Sequence, residues 1–142
     1  MSEAAPCIFC EIIAQRAPAA RVVEDPHTLA FLDLFPVAPG HALVIPKVHY
    51  PNLFEATPQT LAAVIETARR VARAIRTALQ PDGLAVFQLN GRAAGQTVFH
   101  YHVHLIPRHE GDTLRLHGRE VASREELEAV AQRIAAALES TP

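Results

Sequence analysis

Two rhythms of apolar and polar residues run along this chain and divide it into elements. Over residues 57–79, Leu61, Val64, Ile65, Ala68, Val71, Ala72, Ile75 and Leu79 recur at i+3/i+4 spacing, the stripe of an amphipathic helix. Thr57 suits its N-cap with Pro58 at N1, and Pro81-Asp82-Gly83 provides the stop. A second helix is predicted after Ser123-Arg124-Glu125-Glu126, which has the form of a capping box; Leu127, Val130, Ile134 and Leu138 then share one side. A short helix over residues 10–15 places Phe9, Ile12 and Ile13 on one face and ends by Pro18. Strands are predicted at 21–24 and 28–32, joined as a hairpin by Asp25-Pro26-His27, and again at 41–46 and 84–90. The long connections between these pieces fit an α+β architecture better than alternating βαβ units.

The alternation is most informative over residues 96–107. Read as a strand, this stretch puts His100, His102, His104 and Ile106 on one side and Tyr101, Val103 and Leu105 on the other. Successive imidazoles would stand roughly 6.5–7 Å apart along one ridge. Three imidazoles in a row need partners: a metal, a phosphate or a hydrogen-bond network. A single catalytic zinc held by all three fails on spacing, because metal–nitrogen bonds are only about 2.1 Å long.

Composition narrows the classes. The 142 residues suit one domain, here taken as 1–142, with 49% hydrophobic and 20% charged content typical of a globular chain. A net charge of −2 and the absence of a Lys/Arg cluster give no reason to expect nucleic acid or an anionic membrane as partner. No apolar run approaches 18 residues and the first residues lack the features of a signal peptide, so the cytoplasm is the expected compartment.

Cys7-Ile8-Phe9-Cys10 admits three readings: a redox pair, half of a zinc site, or two buried apolar cysteines. The redox reading wants a preceding strand, which is lacking. Asp33, the single acid of the Pro/Gly loop 33–40, is either part of a plain connection or a carboxylate facing a ligand hydroxyl. The loop from Asn90 through Gly91 and Gly95 to Gln96 and Thr97 gathers glycines, amides and a hydroxyl just before the histidines, a combination suited to an oxyanion. It is not a Walker A loop.

His100-Tyr101-His102-Val103-His104-Leu105-Ile106 has the His-φ-His-φ-His-φ-φ form, and with it the chain resembles the histidine triad (HIT) superfamily of nucleotide hydrolases and transferases. The likeness runs in order from Cys7 through Leu32-Asp33, Gly40-His41, Pro46-Lys47, His49, Asn90 and Gln96-Thr97-Val98 to Arg108. It implies the HIT fold, a mainly antiparallel sheet of about five strands with one long and one C-terminal helix. It also implies reaction at the α-phosphate of purine (AMP- or GMP-type) nucleoside monophosphate derivatives, with His102 as nucleophile and a nucleotidyl-histidine intermediate.

By the same resemblance His104 assists proton transfer, His41 supports the network, and Gln96, Thr97 and the Gly95 region hold phosphate oxygens. Asp33 takes the ribose hydroxyls, Asn90 lies near sugar or phosphate, and Phe9, Ile12, Phe31, Leu32 and Leu34 line the base pocket beside Val98. Cys7, Cys10, His49 and His100 match the four ligands of a structural zinc in a bacterial branch, with no catalytic metal expected. Members are typically homodimers. The reaction implied is most simply a phosphoramidase; dinucleoside polyphosphate hydrolysis, or nucleotide-binding scaffolding with little turnover, are the alternatives. Tyr101 is bulkier than the aliphatic residue common there, and the chain has no Trp; both bear on substrate preference only.

Overall fold

The computed structural model describes residues 7–118 and 120–140. Five strands, β1 (Arg21–Glu24), β2 (Thr28–Leu32), β3 (Ala42–Pro46), β4 (Gly83–Phe87) and β5 (Val103–Arg108), form one antiparallel sheet in the order β1-β2-β3-β5-β4. Helices α1 (Ile8–Ile13), α2 (Pro58–Leu79) and α3 (Arg124–Ser140) complete the α+β architecture expected of the HIT fold.

Both sheet faces are covered, which is why β2 and β3 read as unbroken apolar runs and are buried at every position. On one face Ala30, Leu32, Val44, Val103 and Leu105 meet Val64, Ala68, Val71 and Ile75 of α2 and Ile134 of α3. The Val, Leu and Ile side chains among them each contribute about 1.5–3 kcal/mol on burial, so this layer holds the sheet against its helices. The opposite face gathers Leu29, Phe31, Leu43 and Ile45 under Phe9 and Ile12 of α1. His104 pairs in register with Leu43 and with Phe87, so the chemistry-bearing side chain of β5 emerges on this second face.

Several elements depart from the sequence expectations. The segment 96–102 is not strand; β5 begins at Val103, after His100 and His102. The backbone there is held instead by loop contacts, including the Tyr101 N–H donated to the Tyr50 carbonyl at 2.7 Å. The strand expected at 84–90 ends at Phe87, and the loop 91–95 contains a single 3-10 turn, Arg92–Ala94. Helix α1 starts at Ile8, capped by the Cys7 sulfur, and ends well before Pro18.

Thr57 caps α2 as its sequence suggests, but the left-handed residue that terminates the helix is Gln80 (φ 51) rather than one of Pro81-Asp82-Gly83. Ile65 faces solvent. Thr67 takes the buried place, its hydroxyl paired with that of Thr28 at 2.7 Å. At α3 the capping box forms as read, with Glu126 N–H on Ser123 Oγ and Ser123 N–H on the Glu126 carboxylate.

Candidate active site and metal centre

Antiparallel pairing of β2 with β3 brings Asp33 beside His41, and the Asp33 N–H to His41 carbonyl bond (2.9 Å) extends the ladder past the strand ends. Pairing of β3 with β5 then sets His41 against His104. The tautomers follow from fixed donors and acceptors. The Val37 N–H donates to His41 Nδ1 at 3.0 Å, so His41 carries its proton on Nε2. That proton points to His104 Nδ1 at 3.0 Å, with an Asp33 carboxylate oxygen further off at 3.5 Å. His104 must therefore hold its own proton on Nε2, and that buried donor has no protein partner among the described residues. A buried donor left without a partner costs about 1–3 kcal/mol, and it marks the spot where a substrate atom would be welcome.

His102 has the opposite tautomer. Its Nδ1 lies 2.6 Å from the His100 carbonyl, which only accepts, so the proton sits on Nδ1 and the Nε2 lone pair is free. Burial lowers its pKa below the ordinary imidazole value, which keeps that lone pair unprotonated at neutral pH. Burial likewise pushes His41 down to about 4 and His104 down to about 2, so the cluster is neutral. Asp33 moves the other way: burial raises its carboxyl pKa.

The rings are closer than an extended ridge would allow. The centroids of His102 and His104 are 4.9 Å apart, and Phe87 stacks on His104 at 4.5 Å. Phe9 meets His102 edge-on at 5.1 Å.

These groups open on a cavity of about 530 Å³. Of the residues expected to bind substrate, Phe9, Ile12, Phe31, Leu32, Asp33, Leu34, Thr97, Val98, His102 and His104 line it. Gln96, Asn90 and Gly95 do not. The Gln96 amide is buried and occupied: its oxygen accepts from Gly91 N–H (2.7 Å), and its nitrogen donates to the carbonyls of Pro51 (2.6 Å) and Val98 (3.0 Å). Asn90 is locked in a reciprocal amide pair with Gln88 and accepts the Leu53 N–H. Gly95 (φ 104) turns the loop and offers its carbonyl to His117. Both amides thus shape the loop from behind rather than face the cavity.

Sequence reasoning missed His117, Arg124 and Phe87. His117 reaches the cavity wall from the polar segment after β5, which carries no apolar rhythm to place it, whereas Arg124 opens the helix its capping box marks and its place on the wall follows only from how α3 packs. Phe87 was visible as a strand residue, but its stacking on His104 depends on the β4–β5 register.

The second cluster brings together all four expected metal ligands. Cys7 Sγ lies 3.4 Å from His100 Nδ1, Cys10 Sγ lies 3.4 Å from His49 Nδ1 and 3.7 Å from His100 Nδ1, and the two Nδ1 atoms are 3.2 Å apart. A tetrahedron with metal–nitrogen bonds of about 2.0–2.1 Å and metal–sulfur bonds of about 2.3 Å has edges of about 3.3 Å (N–N) and about 3.6 Å (N–S), so the donor set fits a metal ion. The His100 Nε2–H donates to the Pro46 carbonyl at 2.8 Å, which leaves Nδ1 as the ligating atom. Burial, then the neighbouring Cys7 thiol, raises Cys10 to about 11; a bound cation would reverse that, since the ligand is the thiolate.

A family model described as the HIT domain matches residues 14–111. The protein hit of Bacillus subtilis is 50% identical over 107 residues, covering 75% of this chain and 74% of that protein. Adenylylsulfatase HINT3 of Arabidopsis thaliana is 43% identical over 108 residues, covering 76% of this chain and 55% of that protein. A crystal structure of a zinc-bound histidine triad family protein from Mycobacterium smegmatis matches with a TM-score of 0.84 at 38% identity, covering 98% of this chain and 96% of that one. Fold and site together define a nucleotide-binding protein of hydrolase type. The chain belongs to the HIT-domain family, and its Cys/His cluster fits the zinc-containing branch. No helix among the described residues is long and apolar enough to cross a membrane.

Proposed function

We propose that this chain hydrolyses purine nucleoside monophosphate derivatives at the α-phosphate, with phosphoramidates as its principal substrates. The observation that carries the reading is the His102 Nδ1–H held by the His100 carbonyl at 2.6 Å, which turns a free Nε2 lone pair into the cavity chemistry. The base would lie against Phe9, Ile12, Phe31, Leu32 and Leu34, with the ribose hydroxyls on Asp33 and the phosphate oxygens near Thr97. His102 Nε2 forms the N–P bond while the bond to the leaving group breaks. The leaving nitrogen of an amidate needs a proton, and His104 Nε2–H is a buried donor without another use. His41 would act through His104, fixing its tautomer. Water then cleaves the nucleotidyl-histidine.

Zinc is our assignment for the Cys7, Cys10, His49 and His100 cluster, supported by its edge lengths and by the zinc-bound relative. Its role there is to hold the backbone beside His102. The expected quaternary state is a homodimer: β4 is an edge strand with Val86 exposed, a surface a second copy could extend. Sedimentation of the purified protein decides that point.

A second reading, cleavage of nucleotide anhydrides including dinucleoside polyphosphates, is favoured by the Arabidopsis relative called an adenylylsulfatase. Second-order rate constants for adenosine and guanosine phosphoramidates against diadenosine polyphosphates rank the two. Faster amidate turnover is expected. No turnover of either class would leave a nucleotide-binding scaffold in its place.

A further inference from the structure

A nucleoside monophosphate placed as proposed above runs from phosphate to ribose to base, and most polar groups of the cavity serve its first two parts. His102, His104 and Thr97 stand at the phosphorus end, with Asp33 next. His117 belongs with the first group: its ring lies 6.2 Å from that of His104, and its Nε2–H donates to the Gly95 carbonyl at 2.9 Å. After Asp33 the chain continues into Leu34 and Phe35, and the wall they share with Phe9, Ile12 and Phe31 is apolar. Backbone groups there are already engaged. The Phe35 N–H donates to Asp33 Oδ1 at 2.9 Å, and the Leu34 carbonyl accepts the Ala122 N–H at 3.0 Å.

The Ala122 bond draws the segment before α3 over this wall. Gly118 makes the same approach: a Cβ there would stand 2.4 Å from the carbonyl oxygens of Phe35 and Pro36, so only glycine lets the chain lie so close. Two residues beyond Ala122, at most about 7 Å of chain away, Arg124 opens α3 and lines the cavity. Ser123 and Glu126 cap the helix with each other, and among the described residues the Arg124 guanidinium makes no hydrogen bond or ion pair. Among the described residues at the base end, it is the side chain that offers unused polar atoms, and all of them are donors.

An apolar slot holds any flat ring of the right size; telling one purine from another takes hydrogen bonds to the ring edge. The edge remote from the sugar carries the group at position 6, a carbonyl oxygen in guanine and hypoxanthine and an amino group in adenine. Guanidinium N–H groups match that oxygen, with N7 beside it as a second acceptor, and oppose the amine. A donor set against a donor leaves both without a partner, which is costly once water is excluded. We infer that Arg124 reads position 6 of the purine and makes the chain selective for 6-oxopurine nucleotides, of guanosine or inosine type, over adenosine ones. The inference rests on the nucleotide lying as proposed above, with its base toward Leu34. It uses the fork of the guanidinium and not its charge alone, so lysine is not an equivalent.

The test measures Kd for GMP, IMP and AMP by calorimetry, and kcat/KM for the three 5′-phosphoramidates, on wild type, Arg124→Lys and Arg124→Leu. Arg124 is exposed and lies outside the Ser123–Glu126 cap, so both variants are expected to fold. Wild type should favour GMP and IMP over AMP about tenfold, within the discrimination that one two-pronged arginine contact to a base provides. Arg124→Leu should bring the three within about twofold of one another, and Arg124→Lys should keep only part of the preference. The inosine arm separates position 6 from the 2-amino group, which guanine alone carries: IMP binding like AMP would overturn the inference. So would equal Kd values in wild type, or a preference for guanine that survives in Arg124→Leu while all three nucleotides weaken together. Selective binding without turnover of any amidate would keep the base contact and remove the hydrolase reading; turnover without selectivity would do the reverse.

Discussion

The backbone carbonyl of His100 accepts the Nδ1–H of His102 at 2.6 Å, while the side chain of His100 points its Nδ1 at Cys7, Cys10 and His49. One residue thus belongs to both clusters: its ring to the metal set, its carbonyl to the nucleophile. Whatever fixes the ring also helps to place the carbonyl that sets the tautomer of His102.

Removal of the metal should therefore weaken both fold and catalysis. Elemental analysis is expected to find one zinc per chain in the wild type and none in Cys7→Ser with Cys10→Ser. Loss of about 2–3 kcal/mol of linked stabilisation would lower Tm by roughly 10 °C. Turnover should fall several-fold without vanishing, because no chemical step is assigned to the metal. Full activity and an unchanged Tm in the double variant would dissociate the clusters.

His41 touches the reaction only through His104. His41→Gln should lower kcat about ten- to a hundredfold and leave KM within about twofold, since the His104 tautomer and not the nucleotide pocket is disturbed. A rise in KM with kcat preserved would place His41 in binding instead.

The pH dependence has a definite sign. His102 attacks as the neutral ring, and burial lowers its pKa, so the acid limb of kcat/KM should have its midpoint below the free-imidazole value of about 6.5. A midpoint above that value would contradict the burial of the nucleophile. The same shifts link to stability. His41, near 4 when folded, takes up its proton more readily in the unfolded chain, so its contribution is present above about pH 6.5 and is lost as pH falls toward 4. Denaturant melts of His41→Gln should accordingly show a shallower fall in stability across that window than wild type.

Gly40 precedes His41 at φ +90, and a Cβ there would stand 2.4 Å from Leu79 Cδ1. Gly40→Ala should destabilise by about 1–3 kcal/mol, a Tm decrease of roughly 4–10 °C, from the strained backbone and the displaced Leu79 together. A melting curve unchanged from wild type would mean the loop re-forms without cost.

Elements set by local rhythm were legible in the chain. The Arg21–Glu24 and Thr28–Leu32 hairpin and helix Pro58–Leu79 form where periodicity and capping residues place them. The four metal-set residues and His41, His102 and His104 meet as the family pattern implied. What stayed hidden depends on contacts between distant segments. Alternation suggested a strand through His100 and His102, yet Tyr50 and Pro46, on another segment, hold that backbone and ring, and no rule of spacing contains them. Gln96 and Asn90 have the chemistry of phosphate ligands, but their amides are taken by Pro51, Gly91, Gln88 and Leu53. His117 and Arg124 lie in or just after a polar stretch without periodicity, so only the folded chain brings them to the cavity.

The most direct measurement is the mass of protein quenched in alkaline denaturant during turnover of an adenosine phosphoramidate, followed by peptide mapping. Wild type is expected to carry one adenylyl group on the peptide containing His102, and His102→Ala to carry none and to lose at least a thousandfold in kcat. An adduct on a different residue, or a His102→Ala variant that still hydrolyses the substrate at the wild-type rate, would contradict a nucleophilic role for that ring.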